Sequence, residues 1–397
     1  MEVPQGYKQT SIGIIPVDWE IERLGNLITI KSGESPEKFR LLSHPAQYPY
    51  LKVEDLNNCE KFQQYSRNYT DDQFSVISEN SIIFPKRGAS ILTNKVRINS
   101  VAVQMDSNLM ALTKLKPSIN FEFLFYKIVS AGLFKIADTS SIPQINNKHI
   151  EPYKIPLPPL PEQQKIAEIL STWDTAIETC QKTIEQLKQR NKGLAQQFLT
   201  PAENWQKYKV KDVLKEISRP VSWDDEKFYD LISVRRRSGG IFYRQTLQGK
   251  EILTKNLSTV KNGDFLISKM QIVHGASALV CENFENMNVS GSYIVTRCRN
   301  EEIMDIRFFN YLSKTKRFYH LSYISSYGVH IEKMTFDFKD FQNHSLALPT
   351  LAMQREIISI LDTASNELKL YEEKLQTLQQ QKKGLMQQLL TGKVRTL

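Results

Sequence analysis

The sequence predicts an α+β chain in which two blocks of mixed strands and helices are joined and separated by two long heptad helices. Three observations lead there. Leu157–Thr200 recurs without a gap as Leu348–Thr391, offset by 191 residues and closing on KGLAQQFLT and KGLMQQLLT. Apolar residues inside both copies hold an alternation of four and three. The stretches before them carry short β-rich runs between Asn, Ser and Gly clusters. Repeats are sought first because they decide the architecture. Here they divide the chain into a first block at 1–155, a helical spacer at 156–200, a second block at 201–345, and a second spacer with its tail at 346–397.

The spacers read as supercoiled seams. In the first, Ile166, Leu170, Trp173, Ile177, Cys180, Ile184, Leu187, Asn191, Leu194 and Phe198 keep the heptad. Their counterparts are Ile357, Leu361, Ala364, Leu368, Tyr371, Leu375, Leu378, Lys382, Leu385 and Leu389. A seven-residue repeat sustained over more than four heptads is a coiled-coil signature, longer than an ordinary amphipathic helix holds. Pro159 and Pro161 precede or open the first helix, and Gly392 closes the second. At ~1.5 Å per residue each helix is about 50 Å long. The expected arrangement is an antiparallel intramolecular coiled coil; pairing between two chains is the alternative. Asn191 and Lys382 put a polar residue at the same seam position, where it fixes register at some cost in stability.

The blocks are expected to be mixed. Ser81–Phe84, Val101–Gln104, Phe265–Ser268 and Tyr293–Arg297 read as strands; Phe121–Ile136 and Ile306–Phe318 read as helical. The two blocks echo one another faintly. Trp19 with EIERLGNLITI resembles Trp205 with QKYKVKDVLKEI, and SIIFPKRGA resembles DFLISKMQIVHGA.

Composition narrows the partners. The chain has 397 residues, 41% of them hydrophobic, with a formal charge of +9. Its polar N-terminus lacks the apolar stretch of a signal peptide, and no apolar run reaches the roughly 18 residues of a bilayer span. A cytoplasmic protein without membrane contact is expected. An excess of cations attracts phosphate, membrane surface or acidic protein, and without a basic amphipathic terminus nucleic acid is favoured. Cys59, Cys180, Cys281 and Cys298 are too scattered for a zinc or redox pair and are expected as small buried hydrophobes.

No catalytic constellation is visible. Nucleotide-binding glycine loops, the Pro-Pro-aromatic motif of DNA amino-methyltransferases, and the metalloprotease and hydrolase motifs do not occur. His44, His149, His274, His320, His330 and His344 lie far apart, and Asp224, Asp225 and Glu226 read as a solvated turn. No metal and no cofactor are expected on this chain.

DNA contact has better candidates. Arg235, Arg236 and Arg237 precede a Gly pair, and arginine grips phosphate or pairs bidentately with guanine; a solvated basic turn is the competing reading. Lys86 and Arg87 in the first block match Lys269 and Gln271 in the second, each set following an apolar strand that could deliver a cation to a groove. Gln144, Asn146, Asn147 and Lys148 precede the first long helix, as Tyr327, His330 and Lys333 precede the second. Asn and Gln can read adenine.

The tandem, with its PLPPLPEQQKIAEIL and KKGLMQQLLTGKV segments and with Trp19 and Trp205 opening each half, resembles the specificity subunit of type I restriction-modification systems over nearly the whole chain. Ala352–Met353 departs from the Pro-Glu usual in that family. The resemblance implies that each block is a target-recognition domain reading one half of a bipartite double-stranded DNA site, while the helices dock two modification subunits. Restriction subunits that translocate and cut DNA then join. S-adenosylmethionine, ATP and magnesium belong to those partners, and the host is bacterial or archaeal. Because the blocks differ strongly, the target is expected to be asymmetric. Two rival readings remain. One is a coiled-coil scaffold without DNA reading, which leaves the charge unexplained; the other is a self-contained nuclease or methyltransferase.

Overall fold

The computed structural model describes residues 3–138 and 142–396. The chain forms two units, Met1–Gln181 with Glu373–Leu397, and Lys182–Glu372. Both are mixed α/β, and both are built to one plan.

In the first unit a five-stranded sheet runs in the order Thr29–Ser32, Leu109–Thr113, Ile82–Pro85, Arg97–Asn99, Phe62–Gln63. Its central strands are buried on both faces, as their unbroken apolar runs require. Phe121–Ala131 packs a helix on it, begun by Asn120, whose side chain accepts from the Phe123 amide at 2.9 Å. The helical stretch expected to reach Ile136 breaks at Gly132, whose φ of 79° lies in the left-handed region that glycine tolerates, and resumes at Leu133. A strand at Lys154–Leu157 pairs antiparallel with Glu20–Arg23 and leads into the first long helix, Leu160–Leu199.

The second unit repeats the pattern. Leu214–Glu216, Tyr293–Cys298, Phe265–Ser268 and Ser277–Leu279 form an antiparallel sheet. A second sheet, ordered Ile241–Gln248, Phe228–Val234, Asn288–Ser290, Leu257–Thr259, has no expectation from the sequence. The expected helix from Ile306 to Phe318 is two helices, Ile306–Leu312 and Lys316–Ile324, because Thr315 starts a new one by accepting from the Phe318 amide. Ser345–Leu348 pairs with Gln206–Lys209 and feeds the second long helix, Leu351–Leu389. The run expected as a strand from Val101 is strand only at Gln104–Met105, and Val101 is exposed. Cys180 and Cys298 are buried, but Cys59 is half-buried and Cys281 exposed, so two of the four cysteines are not core residues.

Each unit takes the front of one long helix and the back of the other, and in each the contacts run in opposite chain directions. Ile166, Ala167 and Leu170 share the first unit's core with Met386, Leu389 and Leu390. Leu194, Ala195, Phe198 and Leu199 share the second's with Ile357, Ile358 and Leu361. All the expected seam residues are buried or half-buried. The two polar seam residues are partnered: Lys382 with Asp174, and Asn191, whose amide donates to the Ala364 carbonyl at 2.8 Å.

Two buried glutamines fasten the long helices to their units identically. Gln163 accepts from the Asn120 amide at 2.9 Å and donates to the Pro158 and Ser118 carbonyls. Gln354 accepts from the Asp305 amide at 2.9 Å and donates to those of Pro349 and Ile303. Tyr126 and Tyr311 add a second fastening, donating to Asp174 and Asp362 on the long helices. Burial, with the aspartate hydrogen bond second, pushes both phenols well above the ordinary tyrosine range, so they act as donors at any physiological pH. No helix among the described residues is long and apolar enough to cross a membrane.

Candidate nucleic-acid interface

In the second unit the arginine run forms the turn between Phe228–Val234 and Ile241–Gln248. Arg237 and Ser238 both take left-handed φ values, 58° and 54°, which cost energy for residues with a Cβ. Two backbone bonds hold them there: Arg237 N–H to the His274 carbonyl at 2.6 Å and Ser238 N–H to the Gly275 carbonyl at 2.9 Å. Ser238 Oγ also meets the Tyr319 hydroxyl at 2.9 Å. A Cβ on Gly275 would fall 1.8 Å from that hydroxyl, so only glycine fits beneath the turn. The three guanidinium groups are therefore exposed on a pinned turn, which reduces the entropy lost when they grip a ligand. Arg235 lies over the Phe242 ring at 4.7 Å.

The remaining candidates of the second block converge on this turn. Arg236 pairs with Glu332 at 3.2 Å, and Glu332 also approaches His274 at 3.2 Å. Glu332 belongs to the hairpin of Ser326–Tyr327 and Thr335–Phe336, whose exposed tip carries Tyr327, His330 and Lys333. The Phe336 amide donates to the Lys269 carbonyl at 2.8 Å, seating the hairpin beside Lys269 and Gln271. Apolar side chains also stand out on that tip, Val329 at 94% exposure. Two details depart from the sequence reading. The Lys269 ammonium is half-buried and donates to the Gly291 carbonyl at 2.8 Å, so it is not a free cation, and a Gln271 side-chain oxygen is buried.

The first unit reproduces the seating. The Ile145 amide donates to the Lys86 carbonyl at 2.9 Å, and Arg87 forms an isolated bridge with Gln144. Ile145 and Phe336 are 191 residues apart, the spacing of the helical repeat. Asn146, Asn147 and Lys148 lie exposed at the start of the short helix Asn147–Ile150, where the Asn146 amide donates to His149 Nδ1 at 3.1 Å. Arg87 is exposed; Lys86 is half-buried, and burial, reinforced by Arg87, lowers its pKa. In both units, then, a lysine after a buried strand is backed by a loop rich in amides, histidine or aromatics. The sequence reading missed Tyr319, whose hydroxyl meets Ser238 beneath the arginine turn, and Glu332, which pairs with Arg236. Glu332 lies between two chosen residues, His330 and Lys333, and its charge was the available signal.

Comparison with known proteins adds the family context. The family model of the type I restriction modification DNA specificity domain matches residues 16–189 and again residues 202–380. The MjaVIII type I restriction enzyme specificity subunit of Methanocaldococcus jannaschii is 24% identical, over 96% of this chain and 94% of its own length. Among solved structures, the S subunit of a type I restriction-modification system from M. genitalium superposes with a TM-score of 0.58 at 15% identity, covering 98% of both chains. A chain from a study of complex assembly and conformational transition in the type I R-M system gives 0.59 at 15% identity, over 96% of this chain and 99% of its own. At that identity the structures establish the fold.

Proposed function

This chain belongs to the type I restriction-modification DNA specificity family, and on that premise we propose that it recognises a bipartite, asymmetric DNA sequence with one recognition block per half-site. The observation that supports this reading is the repeated seating of a basic strand end against an exposed loop, in two units of unlike sequence. Arg235, Arg236 and Arg237 serve the second half-site, with Lys333, His330 and Tyr327 beside them. Arg87, Gln144, Asn146, Asn147 and Lys148 serve the first. The Arg236–Glu332 pair joins two exposed groups and is worth at most ~1 kcal/mol, so phosphate or a guanine edge can displace the carboxylate. Lys86, Lys269 and Gln271, partly buried, position these contacts more than they make them.

Under this reading the long helices form an antiparallel intramolecular coiled coil, and because each helix, at about 50 Å, is longer than one ~34 Å turn of DNA, an unread spacer lies between the half-sites. They dock modification subunits, and restriction subunits join. The chain works in the cytoplasm without chemistry of its own; S-adenosylmethionine, ATP and magnesium are bound by the partners. Methylome sequencing of cells expressing the chain with its modification subunit tests the reading. A bipartite adenine-methylated motif that loses one half when one block is exchanged is expected. A single palindromic motif, or none from an assembled complex, refutes it.

A further inference from the structure

The two repeats are not filled alike. In the second unit a cleft of about 900 Å³ opens between the end of the first long helix, the front of the second, and the turn joining Ile306–Leu312 to Lys316–Ile324. Its floor is apolar, with Ala195, Leu199, Leu312, Leu346, Leu361 and Ala364 among its residues. Every ionisable group of opposite or like sign that lines it, tyrosine aside, is a cation: Lys192, Lys314, Lys316 and Arg317, with no carboxylate. Among the described residues none of these four is in an ion pair.

The first unit carries larger side chains at the matching positions. By the 191-residue repeat, Ala195 corresponds to Met386 and Ala364 to Trp173. By the alignment of Tyr311 with Tyr126, Leu312 corresponds to Lys127, whose ammonium donates to the Leu390 carbonyl at 2.9 Å. Leu390 is the counterpart of Leu199, so the helix end that Lys127 covers in one unit is open to the cleft in the other.

We propose that this cleft docks an acidic segment bearing apolar anchor residues from the modification subunit, and that the second repeat thereby offers a contact the first does not. The proposal rests on the family reading above. Its floor argues for protein over DNA: a phosphate backbone has no apolar group to fill it, whereas protein interfaces seat an apolar anchor inside a charged rim. Burial lowers the pKa of Lys314, a cation whose desolvation a bound carboxylate would offset.

The test uses the full chain and its modification subunit. Ala195→Met introduces the first unit's residue into the cleft, and Lys314→Glu reverses a charge at its rim; thermal unfolding checks that both fold. Titration of the modification subunit, followed by light scattering and calorimetry, is expected to show about tenfold weaker binding for each variant. The Lys314→Glu deficit should shrink as salt is raised. DNA binding by the isolated chain should be unchanged. Wild-type affinity in both folded variants overturns the cleft proposal alone, and so does a loss confined to DNA binding, which would make the cleft a nucleic-acid surface. A wild-type chain that binds no modification subunit overturns the underlying reading as well.

Discussion

Replacing Arg395 with alanine tests how the first unit holds its last residues. The Glu162 side chain is 0% exposed, and Arg395 meets it through Nε at 2.8 Å and a terminal nitrogen at 2.9 Å. The same guanidinium reaches both oxygens of Asp18, at 2.9 and 2.6 Å. After truncation Glu162 keeps the Trp19 indole donor at 2.9 Å but loses its cation. Breaking a buried pair from one side costs ~3–5 kcal/mol, and because Arg395 itself is 31% exposed the low end applies, about 3 kcal/mol. For a unit of this size that is a fall of roughly 6–12 °C in its melting temperature. Calorimetry at neutral pH reads it directly. Adding Glu162→Gln removes the stranded charge while leaving an acceptor for Trp19, so the double variant should be more stable than Arg395→Ala alone. The Arg395 hydrogen bond holds the Asp18 carboxyl below its usual range, so that contribution is present at neutral pH and fades as the pH falls through the acid range below 4, the ordinary Asp value. A shift under about 2 °C, or a double variant no better than the single one, would refute the reasoning.

Other expectations follow from the same contacts. Arg236→Ala should lower the slope of log affinity against log salt by about 1 on random duplex, as one lost phosphate contact does. Glu332→Gln should tighten DNA binding by removing a carboxylate from the arginine turn; weaker binding would remove Glu332 from the interface. Burial pushes Lys127 down to about 8, so between about pH 8 and 10.5 the unfolded chain binds the proton that the folded chain has lost, and stability rises across that window. Lys127→Met should flatten the rise, as seen in denaturant midpoints measured from pH 7 to 10. Gln354→Leu strands the Asp305 amide and two carbonyls and should cost the second unit about 2–4 kcal/mol in urea unfolding.

The helical part of this architecture was legible because a heptad is a local pattern. Ile166 through Phe198 announces its buried face in sequence order, and the duplicated KGL-QQ-LT words supply the second copy. Gln163 and Gln354 recur at the same position of the repeat beside an apolar face, which was the signal, but only the fold supplies the amides and carbonyls they bind. The break at Gly132 was missed for a related reason, since the apolar periodicity continues across it, whereas at Thr315 the polar run from Ser313 to Arg317 was an available signal. For the candidate interface, the sequence marks the cations but not their partners. Glu332 lies 96 residues from Arg236, and the Gly291 carbonyl that engages Lys269 comes from another strand connection, so their pairing is a tertiary fact.

Trp19 and Leu390 share the first unit's core as Trp205 and Leu199 share the second's. Between Leu199 and Trp205 the join is covalent, five residues of continuous chain; between Leu390 and Trp19 it is the Arg395 clamp and the Tyr7 hydroxyl on the Gly392 carbonyl at 2.9 Å. The fold therefore treats a peptide link and a salt link as interchangeable at that corner. A backbone cut near Pro201 would therefore leave two copies of one corner, each closed by its buried core and neither by a peptide link.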